Sequence, residues 1–256
     1  MTDETQSGST QRYYGKYRGF VVDREDPDKL GRLKLRVPSV IGEEVTGWAL
    51  PCLPYGGMDN IGMSIIPELE AQVWVEFEEG LVSHPIWTGT FWQPEQAMPT
   101  GDDAQPTRKI LRTQSGHSIE LEDKEDSEEI LITHSGGAML KIDCNGSIEL
   151  KAQDDGALTM DAEGGSIEIV DANGNTATMD SAGVAVEDAN GNKVEMAAAG
   201  VKIEAQTINL DATQIQLGGP GGEPIIKGQS FLTLFATHIH PTGMGPSGPP
   251  IPQGEM

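Results

Sequence analysis

The chain has 256 residues, of which 32 are Gly and 16 Pro, with 37% hydrophobic residues and a formal net charge of −23. That acidity argues against phosphate backbones and so excludes nucleic acid as a partner class. Cys52 and Cys144 form no disulfide framework, the first residues show no apolar leader, and no stretch approaches the roughly 18–20 apolar residues that span a bilayer. The protein is expected to be made in the cytosol and carried to any other compartment by something else.

Residues 1–15 are polar and read as a flexible N-terminal segment. Over 16–94 the pattern turns to β, with strand-like runs at Tyr17–Asp23, Arg32–Val37, Gly47–Leu50, Gln72–Phe77 and Ile86–Thr90. Turn clusters such as Asp26-Pro27-Asp28 and Pro54-Tyr55-Gly56-Gly57 separate them. Leu33, Leu35 and Val37, and likewise Val73, Val75 and Phe77, alternate with polar residues, which gives each run one buried face. Five short strands in about eighty residues predict a small closed barrel. All four Trp lie in this segment. The proline-containing stretch 95–108 reads as an extended linker.

From 109 to 218 apolar pairs two residues apart recur between Gly-containing turns. They run Ile119/Leu121, Ile130/Ile132, Leu140/Ile142, Ile148/Leu150, Leu158/Met160, Ile167/Ile169, Ala177/Met179, Val184/Val186, Val194/Met196, Val201/Ile203, Ile208/Leu210 and Ile215/Leu217. Between His117 and Leu217, 21 Asp or Glu stand against 5 Lys, so about −16 of the net charge sits there. Short strands at a near-constant step predict a β-solenoid or wound β-prism. Two apolar side chains per strand bury too little to offset the ordering entropy of one chain. The pattern therefore asks for a homotrimer whose strands feed a shared axial core, with Val201, Ile203, Ile208 and Leu210 inside. A monomeric β-sandwich is the rival arrangement, and it fits the even step and the lack of aromatics less well. Residues 219–256 read as a tip, with a Pro/Gly-rich tail too irregular for helix or sheet.

His238-x-His240 is the one arrangement with plausible site chemistry. On a strand, residues i and i+2 share a face, so both imidazoles would aim together. On a threefold axis six nitrogens would form an octahedral cage suited to iron, nickel, cobalt or zinc, and affinity order alone would not choose iron (Fe) among them. The alternative is that the pair packs or caps without metal. His84, His117 and His134 read as surface or turn residues. Glu128-Glu129 and Asp154-Asp155 read as solvated surface and not as a glycosidase dyad. The two Asp-Ala-Asn-Gly-Asn stretches at Asp171 and Asp188 could hold calcium, but a plain Asn-Gly turn accounts for them. No nucleophile elbow, zinc-protease motif or P-loop occurs, so an enzyme is not expected.

Several segments together resemble a known family. Gly31-Arg32-Leu33-Lys34-Leu35-Arg36-Val37-Pro38, Gly47-Trp48-Ala49 and Val73-Trp74-Val75-Glu76-Phe77-Glu78-Glu79-Gly80 are similar to the OB-fold domain of phage baseplate spike proteins (baseplate assembly protein V) and of VgrG proteins. The run from Lys109 to Leu121 resembles the start of the β-helix in those spikes. The resemblance implies an all-β homotrimer with an N-terminal OB-fold barrel, an intertwined trimeric β-helix and a tapered tip. It implies a central spike of a contractile injection machine, found in a virion or extracellular particle and transiently meeting a target membrane. It also implies a separate hub protein at the OB end, iron at the histidine pair in some relatives, and room for a PAAR-type cap. The rival function is a trimeric fibre or tailspike-like receptor- or carbohydrate-binding protein.

Overall fold

The computed structural model describes residues 11–99, 105–218, 223–224 and 228–248. Parts of the N-terminal segment (1–10), the linker (100–104) and the tip (219–222, 225–227 and 249–256) lie outside the described residues. The chain divides into two compact units, Met1–Cys144 and Asn145–Met256.

The first unit opens with five strands: β1 (Tyr17–Asp23), β2 (Lys34–Arg36), β3 (Leu50–Pro51), β4 (Gln72–Phe77) and β5 (Pro85–Thr90). Their order in the sheet is β2-β1-β4-β5-β3, antiparallel throughout except for the parallel β3–β5 pair. Single bridges Leu33–Ala49 and Arg36–Val45 carry β2 toward β3 and curl the sheet toward closure. The predicted run Gly47–Leu50 shrinks to Leu50–Pro51, because its first residues make one bridge instead of a ladder.

Alternation decides what the curl encloses. Val21, Leu33, Leu35, Val37, Ala49, Val73, Val75, Phe77 and Trp87 form the core, and burying each large side chain stabilises by roughly 1.5–3 kcal/mol. A Cβ on Gly19 would come within 2.7 Å of the Val75 side chain, so β1 can cross β4 only with a glycine there. Trp87 Nε1 donates to the Gly31 carbonyl at 3.1 Å, which satisfies the one polar atom of that ring. A short helix, α1 (Pro38–Ile41), starts on the proline that ends the second run.

Between β1 and β2 the chain is locked by Asp26. Its carboxylate accepts from the backbone amides of Asp28, Leu30 and Arg32 and from the Arg32 guanidinium, whose Nη2 lies 2.6 Å from Oδ1. Those donors, the guanidinium first, hold the Asp26 carboxyl well below the usual carboxylate range.

The unit continues with β6 (Arg108–Arg112), β7 (Ser118–Glu122), β8 (Glu129–Thr133) and β9 (Met139–Ile142), each antiparallel to the next. The second unit repeats the scheme with β10 (Ile148–Lys151), β11 (Ala157–Asp161), β12 (Ser166–Val170), β13 (Thr176–Asp180), β14 (Gly183–Glu187), β15 (Lys193–Ala197) and β16 (Gly200–Glu204). Ten of the twelve predicted apolar pairs fall on β7 to β16. Within one chain the strands form successive antiparallel hairpins, where the sequence predicts a β-solenoid or wound β-prism, and a trimeric winding is not shown by the single chain. The reason lies in the turns, which place a residue of positive φ where the chain reverses, such as Gly116, Asp126 and Gly137 in the first unit. Gly183 is the tightest, since a Cβ there would sit 1.9 Å from the Met196 carbonyl oxygen.

The last two predicted pairs behave differently. Ile208 and Leu210 lie in no strand, and Leu217 belongs only to the two-residue β17 (Gln216–Leu217), paired with β18 (Glu223–Pro224). No residue of positive φ lies between Gly200 and Gly218, so the device that reversed the earlier strands is missing. The helix α2 (Gly228–Thr237) follows, and then the small hairpin β19 (Pro241–Thr242) and β20 (Gly245–Pro246).

Candidate functional site

Within each unit, over β7–β9 and over β10–β16, the register of the hairpins sets each apolar pair directly opposite the next. In the first unit Ile119 faces Ile132 and Leu121 faces Ile130, then Ile130 faces Ile142 and Ile132 faces Leu140. In the second, Leu158 faces Ile169, Ala177 faces Val186, Val186 faces Val194, and Met196 faces Val201. Because side chains alternate along a strand, each unit carries an aliphatic stripe two residues wide on one face of its strands.

Among the described residues, no element covers the exposed part of that stripe. Its exposed members run from Met160 and Val194 at 40% to Val201 at 68%. The opposite face is mostly polar, with Ile110 and Leu131 on either side of Glu120, and in places better buried. Glu120 is 8% exposed, accepts from Ser118 Oγ at 2.9 Å, and is ion-paired with Arg108 at 2.9 Å and Arg112 at 3.3 Å. A contiguous apolar surface of this extent is unusual for a monomer and marks an interaction face.

The histidine pair was expected on a strand, and the structure places it in an irregular segment after α2. The spacing of Phe231, Leu234 and Phe235 is helical, and it carries the helix up to Thr237, so the strand-face argument for aiming both rings does not apply. The rings are nonetheless neighbours, with centroids 5.1 Å apart and planes at 85°. His238 Nδ1 lies 2.6 Å from the Phe235 carbonyl oxygen. A carbonyl only accepts, so Nδ1 carries the proton and Nε2 keeps its lone pair, as a metal ligand requires. Among the described residues, no group of three or more His, Cys, Asp or Glu is placed to hold a metal within one chain.

The remaining sequence candidates resolve as structure. Asp171 accepts from the Asn173 and Asn175 amides at 2.9 and 2.8 Å and from Asn175 Nδ2 at 2.6 Å, and Asp188 repeats this with Asn190 and Asn192. The Asn175 side chain and backbone, followed by Asn173, hold the Asp171 carboxyl down to about 2. These amides present N–H groups to the carboxylate where a calcium ion would need oxygens. His84 is exposed beside Ser83. His117 and His134 form a ring pair 4.6 Å apart that sequence spacing did not reveal. Each accepts a backbone N–H at Nδ1, from Ser135 and Gly136 respectively, so their neutral tautomer keeps its proton on Nε2 and offers no lone pair there.

Taken together, the chain is all-β, with a curled five-stranded sheet, antiparallel except for β3–β5, followed by repeated hairpins that carry an exposed aliphatic face. Residues 17–92, which span the five-stranded sheet, match the family model of the Type VI secretion system/phage-baseplate injector OB domain. No curated protein matches the chain. Among solved structures, the TCP domain of Drosophila melanogaster SAS-4 (dCPAP), in complex with a proline-rich motif of Ana2 (dSTIL), is 14% identical. That match covers 43% of this chain and 97% of that one with a TM-score of 0.23, too slight to bear on fold or function. No helix among the described residues is long and apolar enough to cross a membrane.

Proposed function

We propose that the chain is the central spike of a phage tail baseplate or related contractile injection machine, a structural part and not an enzyme. The observation that carries this is the uncovered aliphatic stripe downstream of an injector-family OB domain. Three parallel copies would turn their stripes onto one axis and convert exposed pairs into a common core, while the acidic faces stay in water. In this reading 16–94 is the OB domain that meets a hub protein, 109–218 the shaft, and 219–256 the tip that a PAAR-type cap could cover and that briefly meets the target membrane. The protein would reside in the virion or extracellular injection particle.

The donor chemistry of His238 fits a resident metal, because its Nδ1–H is committed to a carbonyl and the lone pair is left on Nε2. His238 and His240 from several chains would hold it, with iron the first candidate, and it would supply a mechanical cross-link between chain ends. Sedimentation of the purified full chain at low concentration tests the assembly, with three chains per particle expected and a folded monomer fatal to the reading.

A further inference from the structure

On the outer face of the barrel, Arg18 and Phe20 of β1 point away from the core and stand opposite Trp74 of β4 and Arg36 of β2. The Arg18 guanidinium carbon lies 5.9 Å from the Trp74 ring centre and 5.4 Å from that of Phe91, and these two rings are 4.7 Å apart. Arg36 sits 5.0 Å over Phe20. The result is a basic and aromatic patch on a chain whose net charge is −23.

The cations of this face differ in one respect. Lys16 is ion-paired with Glu76 at 2.8 Å, Lys34 with Asp23 at 3.2 Å, and Arg36 lies within 4 Å of Glu43 and Glu70. Arg18 is exposed and has no carboxylate partner among the described residues. Contact with ring faces engages the charge without consuming its N–H donors. A planar guanidinium so held presents the fork that binds a carboxylate through two parallel hydrogen bonds. Arg, Trp and Phe are also the residue types enriched at the centres of protein interfaces.

We propose that this face, centred on Arg18 between Trp74 and Phe91, is a docking surface that seats a carboxylate side chain of another protein of the machine. The inference rests on the reading of the barrel as a baseplate component. It selects a protein carboxylate over nucleic acid because Asp23, Glu43, Glu70 and Glu76 are interspersed with the cations. A continuous phosphate backbone would meet those charges, whereas one carboxylate landing on Arg18 meets none.

The test compares particles purified from cells producing the wild type, Arg18→Gln or Arg18→Ala, with thermal melting of each purified full chain as a fold control. The glutamine variant keeps a stem over the rings and removes only the fork. Both variants should melt like the wild type yet be at least about tenfold depleted from particles. Arg18→Glu should be rescued by an acidic-to-basic change in a different particle protein. Equal incorporation of the variants beside a particle-bound wild type overturns the docking surface and leaves the baseplate reading intact. A wild type absent from particles removes the baseplate reading and the surface with it. Binding of a labelled oligothymidylate to the full chain that is lost in Arg18→Gln would assign the face to nucleic acid and overturn the proposal.

Discussion

Val194 of β15 stands directly opposite Ile203 of β16, and in the single chain both side chains remain in water, at 40% and 52% exposure. Their neighbours on the other face, Glu195 and Lys202, are also paired across the same two strands. Such a hairpin has a polar side that needs no partner and an apolar side that does.

Replacing Ile203 with Asp tests which side is the inside. If three copies share an axis, the change brings three carboxylates into an apolar interior, at a cost of several kcal/mol before any protonation relieves it. The trimer should dissociate or melt far lower in sedimentation and thermal scans. Lys202→Asp, on the opposite face, should change melting little. Identical melting of Ile203→Asp and the wild type would reject the assignment.

How much of this could be read from residues depends on the local signal. β1 and β4 were legible to the residue because Gly19, Val21, Val73, Val75 and Phe77 alternate with polar side chains and turns bound both runs. The hairpins were legible as strands because each apolar pair lies between reversing turns. The same pairing misled at Ile208 and Leu210, where no residue of positive φ follows before Gly218, and α2 was hidden because Phe231 to Phe235 spans little more than one helical turn. Arg18, Trp74 and Phe91 are far apart in sequence, and only the β1–β4 register brings the first two together. The tautomer of His238 depends on a carbonyl three residues earlier, which exists in that place only because the helix ends there.

Asp26 should make barrel stability pH-dependent. Its folded carboxyl is depressed by Arg32 and three backbone amides, so its contribution is fully present above the ordinary carboxylate value of about 4 and is lost as pH falls below that. Asp26→Asn should lower the melting midpoint at neutral pH by several degrees, and the gap to the wild type should narrow steadily below about pH 4. All four Trp lie between residues 48 and 92, so tryptophan fluorescence reads this unit alone. A gap that stays constant down to acid pH would show that the carboxylate charge is not what holds the loop.

The twin turns at Asp171 and Asp188 make a second acid-sensitive feature, in the other unit. Asn175 also accepts the Ala189 amide at 3.1 Å through its side-chain oxygen, which ties one turn to the next. Asp171→Ala should lower thermal stability at neutral pH, and because the folded carboxyl sits at about 2 the penalty should fade between about pH 4 and pH 2. Millimolar calcium should leave the wild-type melting curve in place, since the carboxylate is already occupied by N–H donors. A calcium-dependent rise that Asp171→Ala abolishes would restore the cation reading.

The histidine pair carries the last prediction. His238 donates Nδ1–H to the Phe235 carbonyl and packs 5.0 Å from the Phe235 ring, which fixes both its tautomer and its orientation. His240 lies beside it, and its backbone amide donates to Ser247 Oγ at 2.8 Å, so the segment is held on both sides. The pair offers two imidazoles, too few for a closed structural site, so a metal held there would draw its remaining donors from other chains. Elemental analysis of the purified assembly should give one metal ion for every three chains. His238→Ala with His240→Ala should remove the metal at any pH while the melting of the hairpin units stays unchanged, since their strands lie elsewhere in the chain. A wild-type assembly with no metal at neutral pH, after purification without chelator, would reject the site and leave the pair as a packing element of the tip.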